Sequence, residues 1–175
     1  MKTSFHHRVV KESGQDWSSC RSLLELHEKA RRASLSPYEQ ARYSAAMKRL
    51  VQVANAGQNA GLKQGQVPRQ TPRIPRALQL ELLSSRGERQ KTVTLDLGLG
   101  GFLALLPTGA AHRESLTAVL HLRHREQVKA GVRVVGAQAR RGTARVSFAF
   151  ENMSEADSLR LEAFIADDLV RRFAV

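Results

Sequence analysis

The sequence predicts an α+β protein: an antiparallel barrel or sandwich of six short strands, preceded by a helical hairpin and closed by one helix. Three observations carry this. From Leu78 to Phe150 apolar residues recur with a period of two, which gives each segment one apolar face. No segment between them has the length and period of a crossover helix, so the strands must be joined by turns and run antiparallel. On either side of this region the period changes to three and four, and helix-start signals stand before each periodic run.

The 175 residues leave room for one ordinary domain with an appendage, or for two small ones, and 42% hydrophobic with 25% charged residues is a globular composition. The formal charge of +12 is spread along the chain and not held in one tail. Such an excess attracts polyanions in general, whether nucleotide, nucleic acid or anionic membrane, and also serves solubility. Cys20 is the single cysteine, so no internal disulfide forms, which fits a reducing compartment. The N-terminal stretch lacks the apolar core of a secretory signal, and no apolar run reaches the roughly 18 residues of a spanning helix. The expected location is the cytoplasm.

Residues 1–54 are read as an arm and a helical hairpin. Residues 1–15 have mixed charge and no period. His6-His7 is a poor metal pair, because neighbouring side chains diverge and no third ligand accompanies them. Trp17, Cys20, Leu24 and His27 form a helical stripe, with Asp16 as N-cap and Arg31-Arg32 at the negative end of the helix dipole. Ser36-Pro37-Tyr38-Glu39 starts a second helix: Ser36 caps, Pro37 takes the first position and Glu39 completes a capping box. Its apolar face is Tyr43, Met47, Leu50, Val51 and Ala54, and it is expected to fade near Asn55-Ala56-Gly57. So short a hairpin buries little apolar area alone. It is therefore expected to pack on the other domain, on a second copy in a homodimer, or on a protein partner. Residues 55–72, rich in Gly, Gln and Asn with two prolines, read as a linker, and residues 73–175 as the second domain.

In that domain Leu78, Leu80 and Leu82 form the first apolar face, and Val93 and Leu95 the second, with Thr92, Thr94 and Asp96 turned to solvent. Phe102, Ala104 and Leu106 follow, although Leu103 and Leu105 blur the alternation. A loop is expected at Pro107–Arg113. Then come Leu116, Ala118, Leu120 and Leu122, then Val128, Ala130, Val132 and Val134, then Ala144, Val146, Phe148 and Phe150. The last helix starts at Ser154-Glu155-Ala156-Asp157 and carries Leu161, Phe164, Ile165, Leu169 and Phe173 on one side. It is expected to plug a barrel mouth or to join an oligomer interface.

The chemistry concentrates between Arg69 and Gly101. Arg69 and Arg73 stand four apart at the start of the second domain, with Arg76 a third cation nearby, and Asp96-Leu97-Gly98-Leu99-Gly100-Gly101 joins two strands. Arginine bonds a phosphate or the Hoogsteen edge of guanine through parallel N–H groups, a carboxylate accepts from guanine N–H donors, and glycines let a ligand approach the backbone. The plainer readings are solvated linker charges and an ordinary Asp/Gly hairpin turn. Other candidates are weaker. His121 and His124, three apart on a strand, would face opposite ways. Lys129, Arg133, Arg140, Arg141 and Arg145 form a basic set without the interleaved aromatics that stack on bases. No activated nucleophile, acid/base carboxylate pair or phosphate-binding loop stands out, so no enzyme is expected.

From about residue 69 to 173 this order of parts resembles the PilZ family of bacterial cyclic-di-GMP receptors. Arg69 and Arg73 match that family's R-x-x-x-R motif, and Asp96 and Gly101 match two of three fixed positions in its D/N-x-S-x-x-G motif, with Gly98 in place of the serine. The Phe148-Ala149-Phe150 strand followed by a capped helix matches the family's ending. The resemblance implies a six-stranded antiparallel PilZ-like barrel with a C-terminal helix. It also implies cyclic-di-GMP as ligand, with no catalysis, no metal and no other cofactor, at Arg69, Arg73, Asp96, Gly98 and Gly101, with Arg76 alongside. Loss of the serine hydroxyl removes a hydrogen bond worth about 0.5–1.5 kcal/mol, a roughly two- to tenfold effect. The alternatives are a degenerate scaffold that works by protein contacts through the N-terminal helices and, on charge alone, a nucleic-acid binder.

Overall fold

The computed structural model describes residues 17–62, 68–107 and 116–173, without the side chains of residues 17–20, 124, 140 and 173. The arm with His6-His7, the Asp16 cap, the Trp17 and Cys20 side chains, most of the expected Pro107–Arg113 loop and the Phe173 side chain lie outside the described residues. The chain divides into two compact units. One takes the chain up to Pro72 together with Ala166 onward, and the other runs from Arg73 to Ile165.

The second unit contains seven strands: β1 (Arg73–Ile74), β2 (Gln79–Ser84), β3 (Arg89–Gly98), β4 (Gly101–Pro107), β5 (Leu116–His121), β6 (Gln127–Arg140) and β7 (Thr143–Met153). All pairings are antiparallel, in the order β1-β3-β2-β5-β6-β7-β4, and the additional β3–β4 pairing closes β2 to β7 into a six-stranded barrel. β1 is the extra strand: its two residues pair with Leu97 and Gly98 at the end of β3. The expected apolar faces of β2, β4, β5, β6 and β7 point inward, where Leu80, Leu82, Phe102, Ala104, Leu106, Ala118, Leu120, Val128, Val132, Val146 and Phe148 are buried. Phe102 stacks on Phe148 with ring centroids 5.0 Å apart.

β3 is the exception, and its expected phase is inverted. Val93 is 40% exposed and Leu95 half-buried, whereas Thr94 is wholly buried. The threonine can be buried because its hydroxyl is satisfied twice: Oγ1 donates to the Arg76 carbonyl at 2.6 Å and accepts from the Leu78 N–H at 3.0 Å. His124 lies not on a strand but in the 3-10 turn Arg123–Arg125.

One glycine is demanded by packing. A Cβ on Gly101, at φ 152°, would stand 2.0 Å from the Phe148 carbonyl oxygen, so β4 can meet β7 here only without a side chain. The barrel unit also holds the first part of α3 (Glu155–Phe173). Ser154 caps this helix by accepting from the Asp157 N–H at 3.1 Å and donating to its carboxylate at 2.8 Å. Leu161, Phe164 and Ile165 are buried, and the Arg123 guanidinium stands over the Phe164 ring.

The helical unit consists of α1 (Trp17–Arg31), α2 (Pro37–Asn59) and the last turns of α3. The capping box at Ser36 and Glu39 is formed, with Pro37 at the first helical position. Lys29 also bonds the Glu39 carboxylate, and together these bonds hold its pKa down at about 2. Leu26, Leu50 and Ala54 are buried. His27, expected on an apolar stripe, is buried in a polar network instead. Its Nδ1 shares a 2.8 Å hydrogen bond with the Tyr43 hydroxyl, and its Nε2 lies 3.3 Å from Asp167 Oδ1. Burial, and after it the Asp167 charge, push the Tyr43 hydroxyl above its ordinary range. Buried Asp168 is engaged one turn on by Arg172. α2 does not fade at Asn55 but continues to Asn59, so the segment expected to be linker begins later than residue 55.

Two predictions follow from these contacts. Gly101→Ala should cost about 1–3 kcal/mol or more in urea unfolding, whereas Gly100→Ala, with open space around its would-be Cβ, should stay within about 0.5 kcal/mol of wild type. The depressed Glu39 carboxyl contributes stability that is complete above its ordinary pKa of 4.5 and lost as pH falls towards about 2. In acid titrations followed by circular dichroism, Glu39→Gln should remove that part of the pH dependence.

Candidate functional site

The site is built at the end of β3, where the strand breaks its own alternation. Thr94 pairs with Ala104, but Asp96 pairs with Leu103, so Leu95 is the extra residue of a β-bulge. In a regular strand Thr94 and Asp96 would share a face. The bulge lets Thr94 and Leu97 both point into the barrel while Asp96, between them, turns outward.

There it meets the first strand. Arg73 lies opposite Gly98, and its guanidinium donates to Asp96 Oδ1 at 2.8 Å, with both side chains about a quarter exposed (26% and 24%). Next along the chain, the Arg76 carbonyl and the Leu78 N–H are both tied to Thr94, and the Leu78 carbonyl accepts from the Thr94 N–H at 3.0 Å. Thr94 therefore fixes the connection between β1 and β2, and with it the direction from which Arg73 arrives. Gly98 is buried and paired with Arg73 on one side and Gly101 on the other. Leu99 and Gly100 form the exposed tip of the turn, and the Gly100 carbonyl accepts from the Phe150 N–H at 3.1 Å.

The barrel unit thus brings together Arg73, Asp96 and Gly98. Gly101 is adjacent, but its conformation answers to β7, and Arg76 is half-buried with its carbonyl engaged by Thr94. Arg69 belongs to the helical unit. Its side chain is exposed and no ion pair holds its guanidinium among the described residues, yet its backbone is held at both ends. The Arg69 N–H donates to Asn59 Oδ1 at 2.9 Å, and its carbonyl accepts from Asn55 at 2.8 Å and from Asn59 at 3.0 Å. Sequence reasoning missed Thr94, Asn55 and Asn59. Thr94 left one trace, a hydroxyl between Val93 and Leu95, two residues before the acid. The asparagines left none, because they read as linker composition.

The other candidates are dispersed. Lys129, Arg133, Arg141 and Arg145 are exposed, and Arg133 is paired with Glu151 at 3.1 Å. His121 stands 3.6 Å from Glu81. Among the described residues no three His, Cys, Asp or Glu side chains are grouped to hold a metal ion, and no helix is long and apolar enough to cross a membrane.

These features define a closed antiparallel barrel with an arginine on a short leading strand, an acid and a glycine at the end of β3, and a following helix. The PilZ domain profile matches residues 68–167, and the chain belongs to that family. Among solved structures the chain is similar to the Bacillus subtilis inhibitor of motility MotI/DgrA, with a TM-score of 0.51 and 18% identity over 61% of this chain and 52% of that one. It is also similar to the K. pneumonia MrkH-c-di-GMP complex, with a TM-score of 0.51 and 20% identity over 61% and 53%. The chain thus matches about half the length of each of these proteins. No curated protein matches it in sequence.

The Thr94 stitch is testable by itself. Thr94→Val keeps the shape but leaves the Arg76 carbonyl and Leu78 N–H without their hydroxyl partner, and should cost about 1–3 kcal/mol in urea unfolding. Thr94→Ser should recover most of that loss.

Proposed function

We propose that the chain is a non-catalytic receptor for cyclic-di-GMP that acts in the cytoplasm of a bacterium as a second-messenger effector. The observation that carries this reading is the Arg73–Asp96 pair: two groups 23 residues apart, both named by the family motifs, meet on the outside of the barrel at 2.8 Å. Family membership and the similarity to a structure described as a c-di-GMP complex support it.

In this reading Arg73 and Arg69 bond phosphate or a guanine edge through paired N–H groups, and Asp96 accepts from guanine N–H donors. Gly98 and Gly101 keep the turn low enough for the base to approach, and Arg76 adds positive potential. Ligand binding rearranges the segment before Arg73 and the α1–α2 hairpin, which passes the signal to a protein partner or to a second copy. An open groove of about 610 Å3 on α2, with Tyr43, Met47 and Val51 in its lining, supports a role for that helix in contacts. Gly98 favours a second reading, a PilZ scaffold without the dinucleotide, because it lacks the hydroxyl of the family's serine. Gly98→Ser separates the two, since binding that arises only in that variant marks the native site as degenerate.

Calorimetric titration of the full chain with cyclic-di-GMP is expected to give saturable heat at micromolar ligand. Each of Arg73→Ala and Asp96→Ala should weaken binding by roughly 10- to 150-fold, the worth of a charge-assisted hydrogen bond. Absence of heat at tens of micromolar, or an affinity unchanged by Arg73→Ala, overturns the reading.

A further inference from the structure

We propose that Asn55 and Asn59 are positioning residues for ligand capture, holding the first motif arginine on helix α2 before the ligand arrives; this rests on the receptor reading above. The two asparagines stand one turn apart on the last turns of α2, so their side chains share a face. Between them they satisfy both backbone polar groups of Arg69, with three hydrogen bonds of 2.8 to 3.0 Å. A residue in a Gly- and Gln-rich connection normally samples many backbone conformations, and a binding event that orders it must offset that entropy. At Arg69 the ordering is already done by the helix. Its guanidinium, exposed and without an ion-pair partner among the described residues, is left for an anion.

The consequence is a division of labour between the two arginines. Arg73 enters the site with its position set by β1 and its charge matched by Asp96. Arg69 has its backbone held by α2, and among the described residues no ion pair matches its charge. Because coupling is reciprocal, a ligand drawn to Arg69 also stabilises the last turns of α2. The helix that carries Tyr43, Met47 and Val51 along its groove then responds to occupancy of the arginine.

The test is a double-mutant cycle on the full chain, with cyclic-di-GMP titrated by calorimetry. Asn55→Ala/Asn59→Ala should weaken binding by roughly five- to thirtyfold, the equivalent of ordering about one backbone residue. In an Arg69→Ala background the same pair should change affinity by less than about twofold, since the asparagines act only through Arg69. Amide exchange without ligand should show the Arg69 N–H protected in wild type and faster in Asn59→Ala. An equal loss in both backgrounds overturns the proposal, because it marks a general effect on folding. Unchanged affinity, with Arg73→Ala still weakening binding, overturns it while leaving the receptor reading intact. Absence of binding by the wild-type chain overturns both. Asn59→Asp, which keeps the acceptor for the Arg69 N–H but loses the donor, should fall between wild type and Asn59→Ala.

Discussion

The site depends on a conflict in the pleat of β3. Side chains alternate across a strand, so a regular β3 would put Thr94 and Asp96 on one face and Leu97 on the other. The barrel needs Thr94 inside to tie down the chain between β1 and β2, and it needs Leu97 inside, fully buried against the core. It also needs Asp96 outside, because among the described residues no cation lies in that interior to pair with a carboxylate, whose burial would cost several kcal/mol. One extra residue resolves all three demands. The bulge at Leu95 inverts the alternation after Thr94, and the acid emerges beside Arg73.

On the proposed receptor reading, the resulting pair is the resting state of the ligand site. A guanidinium and a carboxylate that are each about a quarter exposed neutralise one another without being sealed from water. Such partly solvated pairs contribute on the order of 0.2–1 kcal/mol, whereas hydrogen bonds to a fully charged group in a bound ligand are worth about 1.5–3 kcal/mol. On that reading the exchange of the first for the second favours the bound state, and β1 and β3 already fix the backbone positions of both residues. Gly98 lies two residues beyond Asp96 on β3, paired with Arg73 on β1 and with Gly101 across the turn. Lacking a side chain, it adds nothing to the polar surface at the point where the family's serine would stand.

Most of the barrel was legible because inward-facing apolar residues repeat every second position in five strands, and burial enforces that period. β3 was not legible for a specific reason. Its inward residue is a threonine and its outward neighbours are Val93 and Leu95, so hydropathy assigned the faces backwards. Nothing in a single sequence marks a bulge when the inserted residue is an ordinary leucine. β1 was too short to show a period at all, since two residues cannot alternate in a recognisable way. In the helical unit the capping box was plain in Ser36-Pro37-Tyr38-Glu39. The polar role of His27 was hidden because its partners lie 16 and 140 residues away.

The last turns of α2 carry the same lesson towards function. Asparagine and glycine weaken a helix because their side chains or backbones do well elsewhere, and the run Asn55-Ala56-Gly57-Gln58-Asn59 contains three such residues. Propensity therefore ends the helix at residue 54, and the fold carries it to 59. The difference is made up by what the asparagines reach. Each donates to the Arg69 carbonyl, and Asn59 also accepts from the Arg69 N–H, so a segment that is poor helix in isolation gains three hydrogen bonds by being helical. A helix terminus stabilised by one backbone residue is also a terminus that feels whatever that residue binds. On the proposed reading, the residues that look like linker composition are the ones through which occupancy of the first arginine reaches the hairpin.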